Sequence, residues 1–513
     1  MQRRDFLLDV ARLSALCAGL PSDWRLTWRP TFADNPFSLG VASGDPWATG
    51  AVLWTRLAPR PLEPHGGMPG NRPVVVWEVA EDEAFTKIVK QGRYTAAPEL
   101  SYSVHVEVDG LTPDRWYFYR FQSGEAMSPV GRVRTTPADG AMTALRFGVA
   151  SCANYENGLF TAYGHLANER CDLVTHLGDY IYEYGGREQV VRAHVGREII
   201  SVDDYRVRYA QYKMDVELQA AHAMCPWLVT WDDHEVDNNY AGEFGENRME
   251  SAEQMRARRA AGYQAWWEHQ PVRVPRARSW ADLDIRRTTN WGSLARFWML
   301  DTRQYRDDQA CDDGNRNVPC GDWDNPARSI LGQQQERWLM DGLRQSRSHW
   351  QVLGQQVMMA PYDEALGPEQ RVSMDQWSGY PRSRERILGA IAERAPNRTV
   401  VLTGDIHSSW VNELHAGFDR PDRRVVAAEF VGTSIASGGD GQEQSDPLKA
   451  RLAELPYIKW QSGRRGYYVC DVNTSQWRTE YREVPSVTRP GSPVNTVSRW
   501  LVEHGRPGIT ALE

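Results

Sequence analysis

Leu173-Val174-Thr175-His176-Leu177-Gly178-Asp179-Tyr180-Ile181-Tyr182 is a short apolar run that ends in Gly-Asp. A run this short, bounded by a glycine, reads as a buried strand rather than a helix. The same pattern recurs. Leu145–Ala150 is followed by Ser151-Cys152-Ala153-Asn154. Trp227–Thr230 is followed by Trp231-Asp232-Asp233-His234-Glu235-Val236-Asp237-Asn238-Asn239. Thr399–Leu402 is followed, after Thr403, by Gly404-Asp405-Ile406-His407. Leu294–Leu300 and Trp350–Leu353 are further strand candidates. Helical patterns lie between them at Ala252–His269 and at Leu331–Leu343, where Leu331, Trp338, Leu339 and Leu343 share one face. Buried strands alternating with helices make a layered α/β domain.

Upstream, residues 37–137 read differently. Val74–Val79 and Val104–Val108 are strand-like, the second with clean alternation. Gly110-Leu111-Thr112-Pro113 followed by the aromatic run Trp116-Tyr117-Phe118-Tyr119 has the pattern of a fibronectin-type sandwich corner. The hydroxyl of Tyr117 or of Tyr119 is expected to tie it. Thr135–Gly140 reads as a linker. The organisation is therefore an N-terminal segment (1–34), a small all-β fibronectin/Ig-like domain (35–138), an α/β domain (144–485) and a tail (486–513). Asn495–Gly505 in the tail is expected to form a short helix.

The chain has 513 residues, enough for two to four domains at roughly 150 residues each. Its net charge is -8, the opposite sign to a dedicated nucleic-acid or anionic-membrane binder. At 41% hydrophobic and 25% charged it has the composition of a folded protein. No nucleic-acid-binding domain is evident, no apolar run is long enough to span a bilayer, and no protein partner is implied. Gln2-Arg3-Arg4-Asp5-Phe6-Leu7 resembles the twin-arginine export motif. No clear cleavage site follows. The segment reads either as a targeting signal, which would make the protein periplasmic or secreted, or as an amphipathic N-terminus. In an exported chain Cys311 and Cys320, bracketing a Gly/Asn/Asp-rich loop, would close a disulfide.

In open α/β sheets ligands bind beyond the carboxyl ends of the strands. One Gly-Asp there is usually a turn with a polar cap. Four clusters of carboxylate, imidazole and thiol at four strand ends are what a metal centre needs.

Together these clusters resemble the calcineurin-like metallophosphoesterases, and within them the PhoD-like alkaline phosphatases and phosphodiesterases. The resemblance extends to Phe37–Pro46, Leu53–Arg56 and Leu300–Arg306, so it spans about residues 37 to 410. It implies a layered β-sandwich catalytic domain with helices outside. It also implies metal-dependent hydrolysis of phosphate mono- and diesters at alkaline pH, by a metal-bound hydroxide. Cys152 and Tyr182 would bind Fe3+, which favours anionic ligands. Asp179 would bridge iron to Ca2+, and Asp405 and His407 would supply the last motif. Asn238 or Asp233 would complete the calcium site. His234 would act in catalysis or phosphate binding, and Arg303 or Arg306 would clamp phosphate with its planar fork. Asp232, Glu235 and Asp237 read as supporting or solvated groups.

Two other readings compete. The family also resembles Streptomyces-type metal-dependent phospholipase D, which would act on phospholipid headgroups. A non-enzymatic protein with structural metal would leave no coordination position open. The purple acid phosphatases share a similar N-terminal sandwich, but Cys152 argues against their ligand set.

Overall fold

A computed structural model of the chain describes residues 31–513 apart from 33, 247 and 419–422. The twin-arginine-like segment lies outside the described residues.

Strand Leu145–Ala150 shows why the two main sheets stack. Leu145, Phe147 and Val149 enter one apolar cluster and Ala150 enters another. Leu173 and Val174 divide in the same way, as do Leu228 and its neighbours Trp227 and Val229. Side chains alternate across a strand, so these strands bury both faces. That is why they read as continuous apolar runs.

The first sheet has ten strands among the described residues. Strands Leu145–Ala150, Leu173–His176 and Trp227–Val229 run parallel at its centre. The second has seven, with Ala295–Met299, Trp350–Gly354, Thr399–Thr403 and Arg424–Val431 parallel. The cluster between the sheets is aromatic. Phe147 meets Phe297 at 5.4 Å and Trp477 at 5.5 Å, both edge-on, a geometry that favours the ring quadrupoles. Helices Thr161–Leu166, Val202–Lys213, Val216–Met224 and Ala252–His269 cover the outer face of the first sheet. Gly332–Gln345 and Pro381–Arg394 cover that of the second. Ala252–His269 begins at a capping box in which Ser251 and Gln254 satisfy each other's backbone N–H groups.

Residues 41–134 hold strands and no α-helix among the described residues. They enclose an apolar core of their own, including Val75, Tyr119, Phe121 and Val133. The expected corner tie is Tyr117, whose hydroxyl accepts from Thr112 N at 2.9 Å. The boundary near residue 138 does not divide the sheets. Val41–Trp47 pairs with Trp227–Val229, and Gly50–Arg56 and Ser103–Val108 follow it, so this region extends the first sheet.

The tail is not helical. Asn495–Glu503 is a strand paired with Gln476–Val484, and Thr510–Leu512 adds beyond it. Trp500 and Val502 are buried two residues apart, so the segment follows the period of a sheet edge, which the helical reading overlooked. Cys311 and Cys320 form the expected disulfide, with Cα atoms 6.1 Å apart.

The inter-sheet core makes one quantitative demand. Phe147→Ala deletes a ring wedged between both sheets. It is expected to cost about 3–5 kcal/mol, the usual range for emptying such a site. Guanidinium unfolding monitored by tryptophan fluorescence measures it, and a loss below about 1 kcal/mol would contradict this packing.

Candidate metal centre

The parallel strands of both sheets end on one edge, and four loops leave them there. Their backbones are strained where the chemistry sits. Cys152 (φ 61°), Asp179 (φ 54°), Asp405 (φ 63°) and His407 (φ 53°) all occupy the left-handed region. Residues other than glycine rarely adopt it, and strain of this kind gathers at functional sites. The loops are also pressed together. Gly178 has φ 102°, and a Cβ there would stand 2.5 Å from Asp232. Cys152 N and Ala153 N donate to the carbonyls of Gly178 and Asp179. Glu235 binds two loops at once, accepting from Asp179 N (3.0 Å), Tyr180 N (2.6 Å) and Asp232 N (2.7 Å).

This brings the sequence candidates together. The ligand atoms of Cys152, Asp179 and His407 lie within 4.8 Å of one another. Those of Asp179, Asp233 and His234 do so as well, and those of Asp232, Asp233 and Asp405 form a third group. Tyr182 joins the first group: its hydroxyl donates to Asp179 Oδ2 at 2.8 Å and lies 3.0 Å from His407 Nε2. Asp179 and Asp233 each belong to two groups, so the three form a continuous row.

The donors suit cations. Asp179 Oδ1, Asp232 Oδ2 and Asp233 Oδ1 are buried and accept no hydrogen bond. A buried carboxylate oxygen left so is costly unless a charge compensates it. Burial pushes Asp179 and Asp232 well above the usual carboxylate range, and Asp405 up to about 6. Burial, and then the charge of Asp179, push the Cys152 thiol and the Tyr182 phenol up as well. A bound cation reverses all of these shifts, because it favours the deprotonated ligands. Cysteine, phenol and imidazole gather at one end of the row and carboxylates alone at the other.

Two cationic side chains stand beside the row. His234 Nδ1 bonds Glu183 at 2.7 Å. Burial opposes its charge, but Glu183, Asp179 and Asp233 push its pKa well above the usual imidazole range. Arg303 is fully buried. It pairs with Asp232, with Asp375 at 2.6 Å, with Asp405 at 2.8 Å and with Asp233 at 3.6 Å. Arg306 is one step removed, bonded to Asp375 at 2.6 Å and to the carbonyl of Thr302.

Asn238 keeps other company. Its Nδ2 donates to Glu246 Oε1 at 2.6 Å and its backbone N–H to Glu183. The neighbouring Asn239 instead donates to Asp233 through its backbone. Asp232 stands in the row although its sequence reading was a supporting group. Asp237 is a true supporting group, paired with Arg258 at 2.9 Å.

Sequence reasoning did not single out Glu183, Asp375, Gln376 or Ser437. Glu183 directly follows Tyr182 and was within reach of a closer reading. Gln376 donates to Asp405 at 2.5 Å, and Ser437 to the Tyr182 hydroxyl at 2.6 Å. Both lie in loops without a motif, where only the tertiary structure reveals them.

Comparison with known proteins agrees with this geometry. The family model for the PhoD-like phosphatases matches residues 147–481, and that for their N-terminal domain matches residues 23–137. The chain is 46% identical to alkaline phosphatase D of Bacillus subtilis (strain 168), over 99% of this chain and 88% of that protein. A solved structure of PhoD superposes with a TM-score of 0.91 at 47% identity, covering 94% of this chain and 93% of the other. The purple acid phosphatase PPD1 from yellow lupin seeds shares the fold, with a TM-score of 0.57 at 12% identity over 90% of this chain and 73% of the other.

The buried carboxylates make the stability of the metal-free protein depend on pH. The Asp405 value of about 6 in the folded state exceeds the ordinary value of about 3.9. Folding therefore tightens proton binding. The resulting stabilisation is complete below about pH 4 and is lost as pH rises through 6. Thermal melting of chelator-treated protein should fall across this window. Asp405→Asn should flatten the fall, and an added divalent cation should recover the melting temperature at pH 8. An unchanged slope in the variant would contradict this assignment.

Proposed function

The chain belongs to the PhoD-like phosphatases and hydrolyses phosphate esters, and we propose that it acts on mono- and diesters at alkaline pH with iron(III) and calcium in the strand-end row. The observation that carries this reading is the meeting of Cys152, Asp179, Tyr182 and His407 at one end of a row of carboxylates. Thiolate, phenolate and imidazole suit iron(III), and an all-oxygen set suits calcium. Cys152, Tyr182 and His407 would hold the iron, and Asp179 would be shared. Asp233 and Asp405 would hold the calcium. Asp233 is preferred to Asn238, whose amide is engaged with Glu246. When bound, the cations would supply a water of lowered pKa and positive charge beside the phosphate oxygens.

The chain's own groups supply the rest. Glu183 fixes the Nδ1 side of His234 and leaves the Nε2 proton free to donate. His234 would pass that proton to the leaving alkoxide. Arg303 reaches the carboxylates of the row, so the phosphate-side role falls to it, while Arg306 braces Asp375. The Bacillus relative is named an alkaline phosphatase, which favours this reading over phospholipase D. The N-terminal β region is read as the fibronectin/Ig-like sandwich expected from its corner motif, a reading supported by the Tyr117 tie. Export through the twin-arginine route is supported by Arg3-Arg4 and by the Cys311–Cys320 disulfide, since such bonds persist in oxidising compartments.

EGTA should abolish turnover of p-nitrophenyl phosphate and its bis-ester, and Ca2+ should restore it. Asp179→Asn, which keeps the volume but removes the shared charge, should lower kcat by on the order of 10²-fold or more. Full activity in calcium-free protein, or near wild-type kcat in the variant, would refute the mechanism.

The iron assignment has an optical signature. Iron-loaded protein should show a visible charge-transfer band. Tyr182→Phe and Cys152→Ser should each shift or erase it and lower the iron content measured by elemental analysis. Stoichiometric iron without a band, or a band unaffected by both substitutions, would exclude these ligands.

A further inference from the structure

A cavity of about 420 Å³ opens beside the carboxylate row. Gln376 and Ile406 line its inner end. Gln376 donates to Asp405 Oδ2 at 2.5 Å, and Ile406 lies between Asp405 and His407 in the chain. The cavity therefore adjoins the place where phosphate would sit.

Its walls are unlike the row. Tyr362 and Trp410 form an aromatic corner, with ring centroids 5.1 Å apart and planes tilted by 57°. Trp410 is held in place by its Nε1 bond to Ser408 Oγ at 2.8 Å. Met358 and Leu448 complete the apolar surface. Leu448 comes from helix Asp446–Glu454, which is half-exposed and buries no residue fully. Gln461 also lines the cavity, and its Oε1 is buried without a hydrogen-bond partner. The only charges on the wall are one of each sign, Glu364 and Arg451, joined where Arg451 donates to the Glu364 carbonyl at 3.2 Å. Asn315, Ser373, Ser378 and Ser445 make the rest of the wall polar and uncharged. A pocket that sets apolar and aromatic surface beside placed polar groups suits an organic group.

We propose that this cavity receives the organic ester group of the substrate, and that Tyr362 and Leu448 set a preference for ring-sized or longer apolar groups over a methyl group. Gln461 Oε1 would accept a hydrogen bond from a hydroxyl or amine on that group. The inference rests on the phosphohydrolase reading and deepens it by naming the residues that select the ester. Apolar contact in a preformed cavity grows with the area covered, so a phenyl group gains where a methyl group does not. Neither Tyr362 nor Leu448 belongs to the metal-facing row.

The test is calorimetric titration of the metal-loaded enzyme with phenylphosphonate, methylphosphonate and inorganic phosphate. These present the same oxyanion with a ring, a methyl group or nothing attached. Wild-type protein should bind phenylphosphonate about tenfold or more tightly than methylphosphonate. Tyr362→Ala and Leu448→Ala should each bring the ratio toward one, with inorganic phosphate affinity unchanged, and Tyr362→Phe should preserve it. Leu448→Ala alters only a half-exposed helix, so it keeps the test open if the tyrosine variant folds poorly. Equal affinity for the two phosphonates in wild type would overturn the proposal, as would a ratio that survives both alanine variants. Failure of inorganic phosphate itself to bind would instead overturn the phosphohydrolase reading, and the proposal with it.

Discussion

Everything at the strand-end edge follows from placing carboxylates where water is excluded and counter-charge is short. Asp179, Asp232 and Asp233 are all nearly fully buried, and each has an oxygen that accepts no hydrogen bond. Mutual repulsion and lost hydration both oppose such a row. A loose loop would relieve the strain by turning a side chain outward. The two stacked sheets do not allow that. Their aromatic interface fixes the strand ends, and Gly178 lets one loop press against the next at a distance no larger residue permits. The left-handed backbones of Cys152, Asp179, Asp405 and His407 show that the scaffold overrides local preference.

The protein offsets part of this charge itself. Arg303 engages four carboxylates, and Glu183, Asp179 and Asp233 favour the charged form of His234. Buried pairs of this kind roughly balance their own desolvation and seldom add net stability. They set geometry instead. Arg303 keeps Asp232, Asp375 and Asp405 oriented toward one another, and Glu235 ties the Gly178–Tyr180 loop to the Trp231–Asp233 loop through three backbone N–H groups. The side-chain network therefore pre-positions the ligands, and the remaining unmatched oxygens are where cations would act.

Much of this was legible in the sequence, because period and burial act locally. Continuous apolar runs identified six of the buried parallel strands to within a residue or so but missed Arg424–Val431, and the helix Ala252–His269 was read with its observed ends. The resemblance to the PhoD-like family pointed to Cys152, Asp179, Tyr182, Asp405 and His407, with Asn238 or Asp233 beside them, and in the fold all but Asn238 meet at one edge. The failures share a cause. Asn495–Glu503 is a strand because Gln476–Val484 offers it an edge, and nothing local announces that edge. Asn238 and Asn239 are adjacent and chemically alike, so only the fold decides that Asn239 reaches Asp233. Asp375, Gln376 and Ser437 come from loops distant in sequence, and their roles arise from contacts over tens to hundreds of residues.

The row is chemically asymmetric, and this bears on how one edge of the fold sets candidate metal ligands beside the cavity of Tyr362 and Trp410. Thiol, phenol and imidazole lie at the Cys152 end, where Ser437 and Arg465 close the surroundings: Ser437 donates to Tyr182, and Arg465 bonds the His407 carbonyl. Carboxylates alone lie toward Asp405, where Gln376 opens onto the aromatic wall of Tyr362 and Trp410. A substrate entering from that side would meet the apolar wall and the all-oxygen end together. Cys152 and Tyr182 would stay behind, buried in the chain. Because Asp179 and Asp233 each belong to two of the three groups, a change of charge at one end is passed along to the other. The row would then respond to its ligands as a single electrostatic unit, held in register by the sheets beneath it.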